Sequence, residues 1–323
     1  MQILGLQGSP RKNGNTDTLL TTFMEAAAAL GASTETLYVA KAKITPCMGC
    51  AACEKTGFCV IKDPMTEAMY AKLRAADMVV AATPMYFYSA PAELKAFIDR
   101  SQALWSRRYR FRLRDPGHRH RKGVLLALGA TKGDNLFSGI HFTAKYFFDA
   151  IDAAFSAELT YRCIEHPGDM QNNPDFRQDI ETVMDDLVKP MLIRKTVVFA
   201  GCENAGCSQI AAAFAEKRAG DRLRVISGGS RPAAAVHPIV IAAMAEKKID
   251  LAYRPPRHLS AVLRETIPTV IVTTGRDDTC PTVPGAQVIN WHLPDLAGQK
   301  IDAVRAVRDQ IEAAVIDLVA TIV

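Results

Sequence analysis

Ile3-Leu4-Gly5-Leu6-Gln7-Gly8-Ser9-Pro10-Arg11-Lys12-Asn13-Gly14-Asn15-Thr16 is the stretch that decides the fold. A short apolar run enters a polar loop bracketed by glycines, and the Ala- and Leu-rich Asn15–Leu30 follows, so it reads as strand, loop and helix. A loop that leaves the carboxyl end of a strand and opens a helix is an anion site, because free backbone N–H groups and the helix dipole both favour negative charge. Ser9, Asn15 and Thr16 add neutral donors, and Gly8 and Gly14 allow close backbone approach. Neither GxxxxGK(S/T) nor GxGxxG is present, so a nucleoside triphosphate is disfavoured. An ordinary strand–helix turn with polar caps would look the same from the loop alone.

Outward from this stretch the alternation continues. Thr34–Val39, Met78–Ala82, Val124–Leu128 and, more weakly, Ala157–Cys163 read as strands. Thr66–Arg74, Ala92–Leu104, Ile140–Phe155 and a segment ending near Val188 read as helices. Pro190 is expected to stop the last of these and mark a joint. A second alternation then begins, with strands at Thr196–Ala200, Leu223–Ser227, Thr269–Thr273 and Gln287–Trp291. Helices fall at Ser208–Arg218, Ile239–Lys247 and Lys300–Val319. The pattern predicts two tandem doubly wound parallel-sheet α/β domains, 1–190 and 194–323.

Length and composition agree with that division. The chain has 323 residues, 49% apolar and 23% charged, enough for packed cores. A net charge of +5 points to neither nucleic acid nor a polybasic membrane surface. No apolar run approaches the roughly 18 residues of a membrane span, and the start lacks a signal-peptide pattern, so a cytoplasmic location is expected.

Two further loops leave the same carboxyl edge of the first sheet, where ligands bind in doubly wound folds. Thr83-Pro84-Met85-Tyr86-Phe87-Tyr88-Ser89-Ala90-Pro91 is aromatic and fixed by prolines; Leu128-Gly129-Ala130-Thr131-Lys132-Gly133 is glycine-rich. Together they can sandwich a flat ring. An anion loop plus a planar slot suits a mononucleotide such as FMN, with Ser9, Arg11, Asn15 and Thr16 at the phosphate, and Pro84, Met85, Tyr86, Phe87, Ala130, Thr131 and Gly133 bordering the ring.

Eight cysteines in a reducing compartment are no disulfide framework. Four of them cluster: Cys47-Met48-Gly49-Cys50-Ala51-Ala52-Cys53, continuing to Cys59, gives C-x2-C-x2-C-x5-C. The first three match the opening of the bacterial ferredoxin run, in which closely spaced thiolates wrap one cubane. A [4Fe-4S] cluster, zinc, and free or oxidised thiols are the three readings, the cluster favoured because a zinc ribbon needs two separated knuckles. Cys163, alone in an expected strand, reads as a small core residue.

Gly8-Ser9-Pro10-Arg11 with Gly14-Asn15-Thr16, then Thr83-Pro84-Met85-Tyr86-Phe87 with Lys95, Asp99 and Arg100, resembles the NADPH-dependent FMN reductase and iron–sulfur flavoprotein family, cysteine spacing included. The resemblance implies a flavodoxin-like fold, bound FMN, a cluster loop held near flavin across subunits, and a homodimer or homotetramer. A flavin takes two electrons and can return them singly, whereas a cubane carries one. The pair implies electron transfer from NAD(P)H or a reduced carrier to a small-molecule or protein acceptor.

Trp105-Ser106-Arg107-Arg108-Tyr109-Arg110-Phe111-Arg112-Leu113-Arg114 places guanidinium groups at period two if extended. It is either a dock for an acidic partner, NADPH phosphate or anionic substrate, or a surface run paired to carboxylates. His118 and His120, flanking arginines, are expected to be exposed.

In the second domain, Thr196–Ala211 is again strand, loop and helix. With Ser227-Gly228-Gly229-Ser230, Val236-His237-Pro238 and Asp278-Thr279-Cys280-Pro281, it resembles the low-molecular-weight tyrosine phosphatases and arsenate reductases. That chemistry uses C-x5-R-S, a thiolate nucleophile and an oxyanion-binding arginine. Aligning Asn204 and Ser208-Gln209 puts Gly201 at the nucleophile position and Cys207 at the arginine position, and Arg276 where a resolving cysteine can sit. What remains is Cys202, Cys207 and Cys280 as redox thiols, for an arsenic- or thiol-linked reductase, or a degenerate scaffold in a redox-sensing protein with little turnover. His237, before Pro238, reads as a cap or structural contact.

Overall fold

The computed structural model describes residues 1–275 and 283–323. They form two compact units, Met1–Arg112 with His120–Leu192, and Leu113–Arg119 with Ile193–Val323.

In the first unit β1 (Gln2–Gln7), β2 (Ser33–Tyr38), β3 (Met78–Pro84), β4 (Lys122–Leu128) and β5 (Ala154–Tyr161) lie in the order β2-β1-β3-β4-β5. Every neighbouring pair is parallel. This is the flavodoxin order, with its switch point between β1 and β3. The inner strands β3 and β4 are buried almost throughout and are continuous apolar runs, as a sheet covered on both faces requires. The edge strand β2 carries Ser33, Thr34, Glu35 and Thr36. The helix Asn15–Ala29 buries Leu19, Leu20, Phe23, Met24 and Ala27, at helical spacing, in the core that includes Val80 and Leu126.

Several elements differ from the sequence expectation. The expected helix Ala92–Leu104 is two helices, Ala92–Arg100 and Gln102–Tyr109. The second contains Arg107 and Arg108, so no extended stripe of alternating guanidinium groups forms there. Arg108 instead pairs with Asp149 (2.8 Å) and Asp152 (3.4 Å), and Arg110 with Glu54 (2.8 Å). Pro190 does not stop its helix. The chain stays helical through Phe176–Val183, a widened turn at Met184–Val188, and Lys189–Leu192. The wide turn accommodates the missing N–H and the ring's clash with the preceding turn. Because β5 ends at Tyr161, Cys163 is exposed in the following loop at φ 59° and is not a core residue. His120 is buried, 3.6 Å from Asp77, and not exposed.

In the second unit β6 (Lys195–Gly201), β7 (Leu223–Gly229), β8 (Val270–Gly275) and β9 (Gln287–Leu293) form a parallel sheet ordered β7-β6-β8-β9. The helices Cys207–Ala219 and Ile301–Ile322 pack on it through Ile210, Phe214, Val304 and Ile311 around Val197 and Phe199. Leu113–Arg119 belongs to this unit. The Arg114 N–H donates to the Lys248 carbonyl (3.1 Å), and the Asp250 N–H donates to the Arg114 carbonyl (2.8 Å). Arg254 lies between Glu216 (2.6 Å) and the buried Asp115 (3.8 Å). Among the described residues no helix is long and apolar enough to cross a membrane.

Candidate functional site

The loop after β1 is locked to the sheet at its start. The Gly8 N–H donates to the Ala82 carbonyl at 2.8 Å. A Cβ on Gly8 would meet Leu94 Cδ2 at 2.5 Å and the Ala82 oxygen at 2.8 Å, so glycine is obligatory there. The loop's own side chains then shape it: Ser9 N–H donates to Gln7 Oε1 (2.7 Å), Arg11 N–H to Ser9 Oγ (3.2 Å) and Asn13 N–H to Asp17 Oδ2 (3.1 Å). Gln7 Nε2 also donates to Asp17 Oδ1 (3.1 Å). Sequence reading passed over Gln7 and Asp17; a buried glutamine closing an apolar strand is the signal that finds the first.

The Thr18 N–H returns to the Gly14 carbonyl (3.0 Å), so the amides of Asn15, Thr16 and Asp17 precede the first intrahelical donor, the position at which helix N-termini favour anions. Ser9 and Thr16 are buried here and Arg11 is exposed. Asn15 uses its side chain differently from the expectation. Its Nδ2 donates to the His166 carbonyl (2.8 Å) and its Oδ1 accepts from the Met170 N–H (3.2 Å), tying the loop after β5 to the helix start.

The loops after β3, β4 and β5 are laced together. Met85 N–H donates to the Leu128 carbonyl (2.9 Å), Gly129 N–H to Tyr161 (2.9 Å) and Ile164 N–H to Gly129 (3.1 Å). Tyr86 and Ser89 exchange both backbone bonds (2.9 and 3.0 Å) around Phe87 and Tyr88, whose φ values are 49° and 63°. That mirror-image turn normally takes Asn or Gly. Here it holds Phe87 fully out in solvent, and Pro84 and Met85 at its base are half-buried. Ala130, Thr131 and Gly133 are exposed on the neighbouring loop.

The four clustered cysteines line a single cavity of about 380 Å³, together with Arg100 and Gln102. Cys47 and Cys50 are exposed and Cys53 and Cys59 half-buried, all as free thiols. Among the described residues no three His, Cys, Asp or Glu side chains are placed to hold a metal ion. Gly49 (φ 66°), Ala51 (φ 54°) and Gly57 (φ 77°) supply the left-handed turns that coil the loop.

Arg100 holds both ends of this loop. Its fully buried guanidinium donates to the Thr45 carbonyl (2.8 Å), to both Asp63 oxygens (2.7 and 3.1 Å) and to the Ile61 carbonyl (3.3 Å). Asp63 accepts in addition from the Thr45 and Met65 amides. Burial would raise the Asp63 carboxyl, but the Arg100 fork and the backbone donors outweigh it and hold the group below the usual carboxylate range. Arg100 Nε is buried with no partner. A cavity walled by four thiols, with a buried cation behind it, fits an anionic cluster ligated through sulfur.

The second unit carries its own pocket, about 630 Å³, lined by residues 201–208, Arg231, His237, Thr274, Gly275 and 293–296. Asn204 sits at φ 51°. Its Nδ2 donates to Ser208 Oγ (3.0 Å), and its Oδ1 accepts from Gln209 Nε2 (3.3 Å) and the Arg257 N–H (2.9 Å), fixing the loop. A Cβ on Gly201 would stand 3.0 Å from Thr274 Oγ1 and 3.1 Å from Ser208 Oγ. Arg231 Nη2 donates to Cys202 Sγ at 3.3 Å, and this bond raises the guanidinium's pKa further. Arg231 was not singled out from sequence, because it lies 29 positions from Cys202. Cys207 Sγ donates to the Pro294 carbonyl (3.5 Å), and His237 Nε2 lies 3.1 Å from Glu203. Cys280, Arg276 and Asp278 lie outside the described residues.

These features define a two-unit α/β protein with a flavodoxin-ordered sheet and a second sheet built around a phosphate-type loop. Residues 1–142 match the NADPH-dependent FMN reductase family. An iron–sulfur flavoprotein of Methanosarcina thermophila is 39% identical over 132 residues, 41% of this chain and 65% of that protein. Another, of Methanocaldococcus jannaschii, is 36% identical over 132 residues, 41% of this chain and 64% of that protein. The match thus spans just under two thirds of those relatives. A putative arsenate reductase of Halobacterium salinarum is 35% identical over 125 residues, 37% of this chain and 87% of that protein. The chain is a fusion that carries an FMN reductase domain at its amino terminus and belongs, through its carboxy-terminal part, to the arsenate reductase family.

Proposed function

We propose that the chain is an iron–sulfur flavoprotein oxidoreductase that passes electrons from NAD(P)H or a reduced carrier to a small-molecule or protein acceptor. The observation that carries this reading is the convergence of Cys47, Cys50, Cys53 and Cys59 on one cavity, in the same unit as an FMN-type anion loop. When bound, FMN exchanges a hydride or two electrons and a [4Fe-4S] cluster passes one electron at a time. Ser9, Arg11, Thr16 and the amide of Asn15 hold the FMN phosphate. Pro84, Met85, Tyr86 and Phe87 bound the ring on one side, and Ala130, Thr131 and Gly133 on the other. The four cysteines ligate the cluster, and Arg100 fixes the two ends of their loop. No side chain is needed as a general acid or base for electron passage. Homodimer or homotetramer assembly and a cytoplasmic setting complete the proposal.

Replacing Cys50 with serine tests it. The variant should keep stoichiometric FMN and lose its iron; iron retained at the wild-type level would overturn the assignment of the ligands.

A second reading is favoured by the Arg231–Cys202 contact alone: an arsenic- or thiol-linked reductase in the second unit, using Cys202, Cys207 and Cys280. A guanidinium donating to a loop thiol supplies again, from different positions, the pairing lost at Gly201 and Cys207. Replacing all three cysteines with serine should then abolish arsenate- or disulfide-dependent turnover and spare flavin reduction. Unchanged turnover would leave the second unit a scaffold.

A further inference from the structure

Ser106 stands in the helix Gln102–Tyr109 with its side chain completely buried. Hydroxyls inside helices usually bond back to the carbonyl four residues earlier. Thr22, Thr143 and Thr182 of this unit do so, donating to Thr18, Gly139 and Gln178. Ser106 does not: its Oγ donates to Cys53 Sγ at 3.5 Å. The hydroxyl is held on that target by its neighbours. One residue on, Arg107 donates to the Gly57 carbonyl (3.4 Å) with its guanidinium over the Phe58 ring, and Arg110 pairs with Glu54 at 2.8 Å. Three side chains of one helical stretch therefore grip the short helix Ala52–Thr56 and its exit, and one of them reaches a sulfur of the cavity.

A neutral thiol is a weak acceptor, and a metal-bound thiolate is a strong one. Burying a hydroxyl with a sulfur as its acceptor is therefore most favourable when that sulfur carries charge. Hydrogen bonds to cluster sulfurs stabilise the more negative, reduced state and raise the reduction potential. We propose that Ser106 is a positioning residue that sets the potential of the cluster bound by Cys47, Cys50, Cys53 and Cys59, through its bond to Cys53. The inference rests on the cluster assignment above and goes beyond it, because it identifies a residue outside the cysteine loop that tunes the group.

The test is a potentiometric titration of anoxically purified full-length chain, followed by electron paramagnetic resonance, for the wild type, Ser106→Ala and Ser106→Thr. The midpoint should move to lower potential in Ser106→Ala at unchanged iron and sulfide content, and return toward wild type in Ser106→Thr. An unchanged midpoint in a fully loaded Ser106→Ala overturns the proposal. Should Ser106→Ala fail to load, resonance Raman spectra of the wild type in H2O and D2O decide. An iron–thiolate stretch that shifts on deuteration supports the bond, and one that does not shift overturns it. A wild-type chain free of iron and sulfide would instead strike down the cluster assignment itself, so the two failures are distinct.

Discussion

Arg100 and Asp63 tie both ends of the cysteine loop to one buried ion pair. Breaking a buried ion pair by removing one partner leaves an uncompensated charge and costs about 3–5 kcal/mol. Arg100→Met should therefore lower unfolding stability by that order in denaturant titration and also lose cluster iron, because the ends of the loop at Thr45 and Ile61 come free. The carboxyl of Asp63 lies below its ordinary value of 3.8 in the folded chain. Its contribution is then complete above that pH and fades as pH falls through the lower folded value. Amide protection across 45–66 should accordingly drop below pH 3.8, and Asp63→Asn should remove that pH dependence. Hydrogen exchange reads both outcomes. In the second unit, Arg231 donating to Cys202 makes that sulfur the expected first site of alkylation in its pocket. Mass spectrometry after brief iodoacetamide treatment should find Cys202 labelled ahead of Cys207, and Arg231→Gln should erase the preference.

At the scale of elements, the loop after β1 separates two glycines that look alike in the sequence. Gly8→Ala drives a methyl into Leu94 and the Ala82 carbonyl and should cost about 1–3 kcal/mol, with loss of flavin retention. Gly14→Ala meets only Arg11 Cβ at an ordinary 3.5 Å and should keep flavin and stability within about 0.5 kcal/mol. Chemical unfolding and bound-flavin absorbance distinguish the two. The inner strands were legible because buried parallel strands are unbroken apolar runs, as Met78–Ala82 and Val124–Leu128 are. The cysteine spacing was legible because the four thiols lie within 13 residues of one another. Long-range partners were not: Asp63 meets Arg100 across 37 positions, and Cys53 meets Ser106 across 53. Asn15 likewise satisfies its amide 151 positions away at His166, which nothing near it announces. The arginine run meets carboxylates, one of its two readings, but its period of two fits a strand, whereas Ser101 restarts a helix that carries through Tyr109.

For the molecule as a whole, the division of the chain is not a single cut. Leu113–Arg119 belongs with Ile193–Val323 and brings Asp115 to Arg254. Residues 194–323 expressed alone omit that segment and should unfold at lower denaturant than the same unit in the full chain; equal midpoints would show the segment to be dispensable. The two units also differ in how their chemistry is retained. The first gathers four thiols around one cavity, and the second holds Cys202, Cys207 and Arg231 in one pocket. The central claim is that the four thiols enclose an inorganic cluster in a flavin-binding unit. Joint quantification of iron, acid-labile sulfide and FMN in anoxically purified full-length chain tests it most directly. The account predicts about four irons and four sulfides beside one FMN per chain. Flavin with zinc, or with no metal at all, would contradict it.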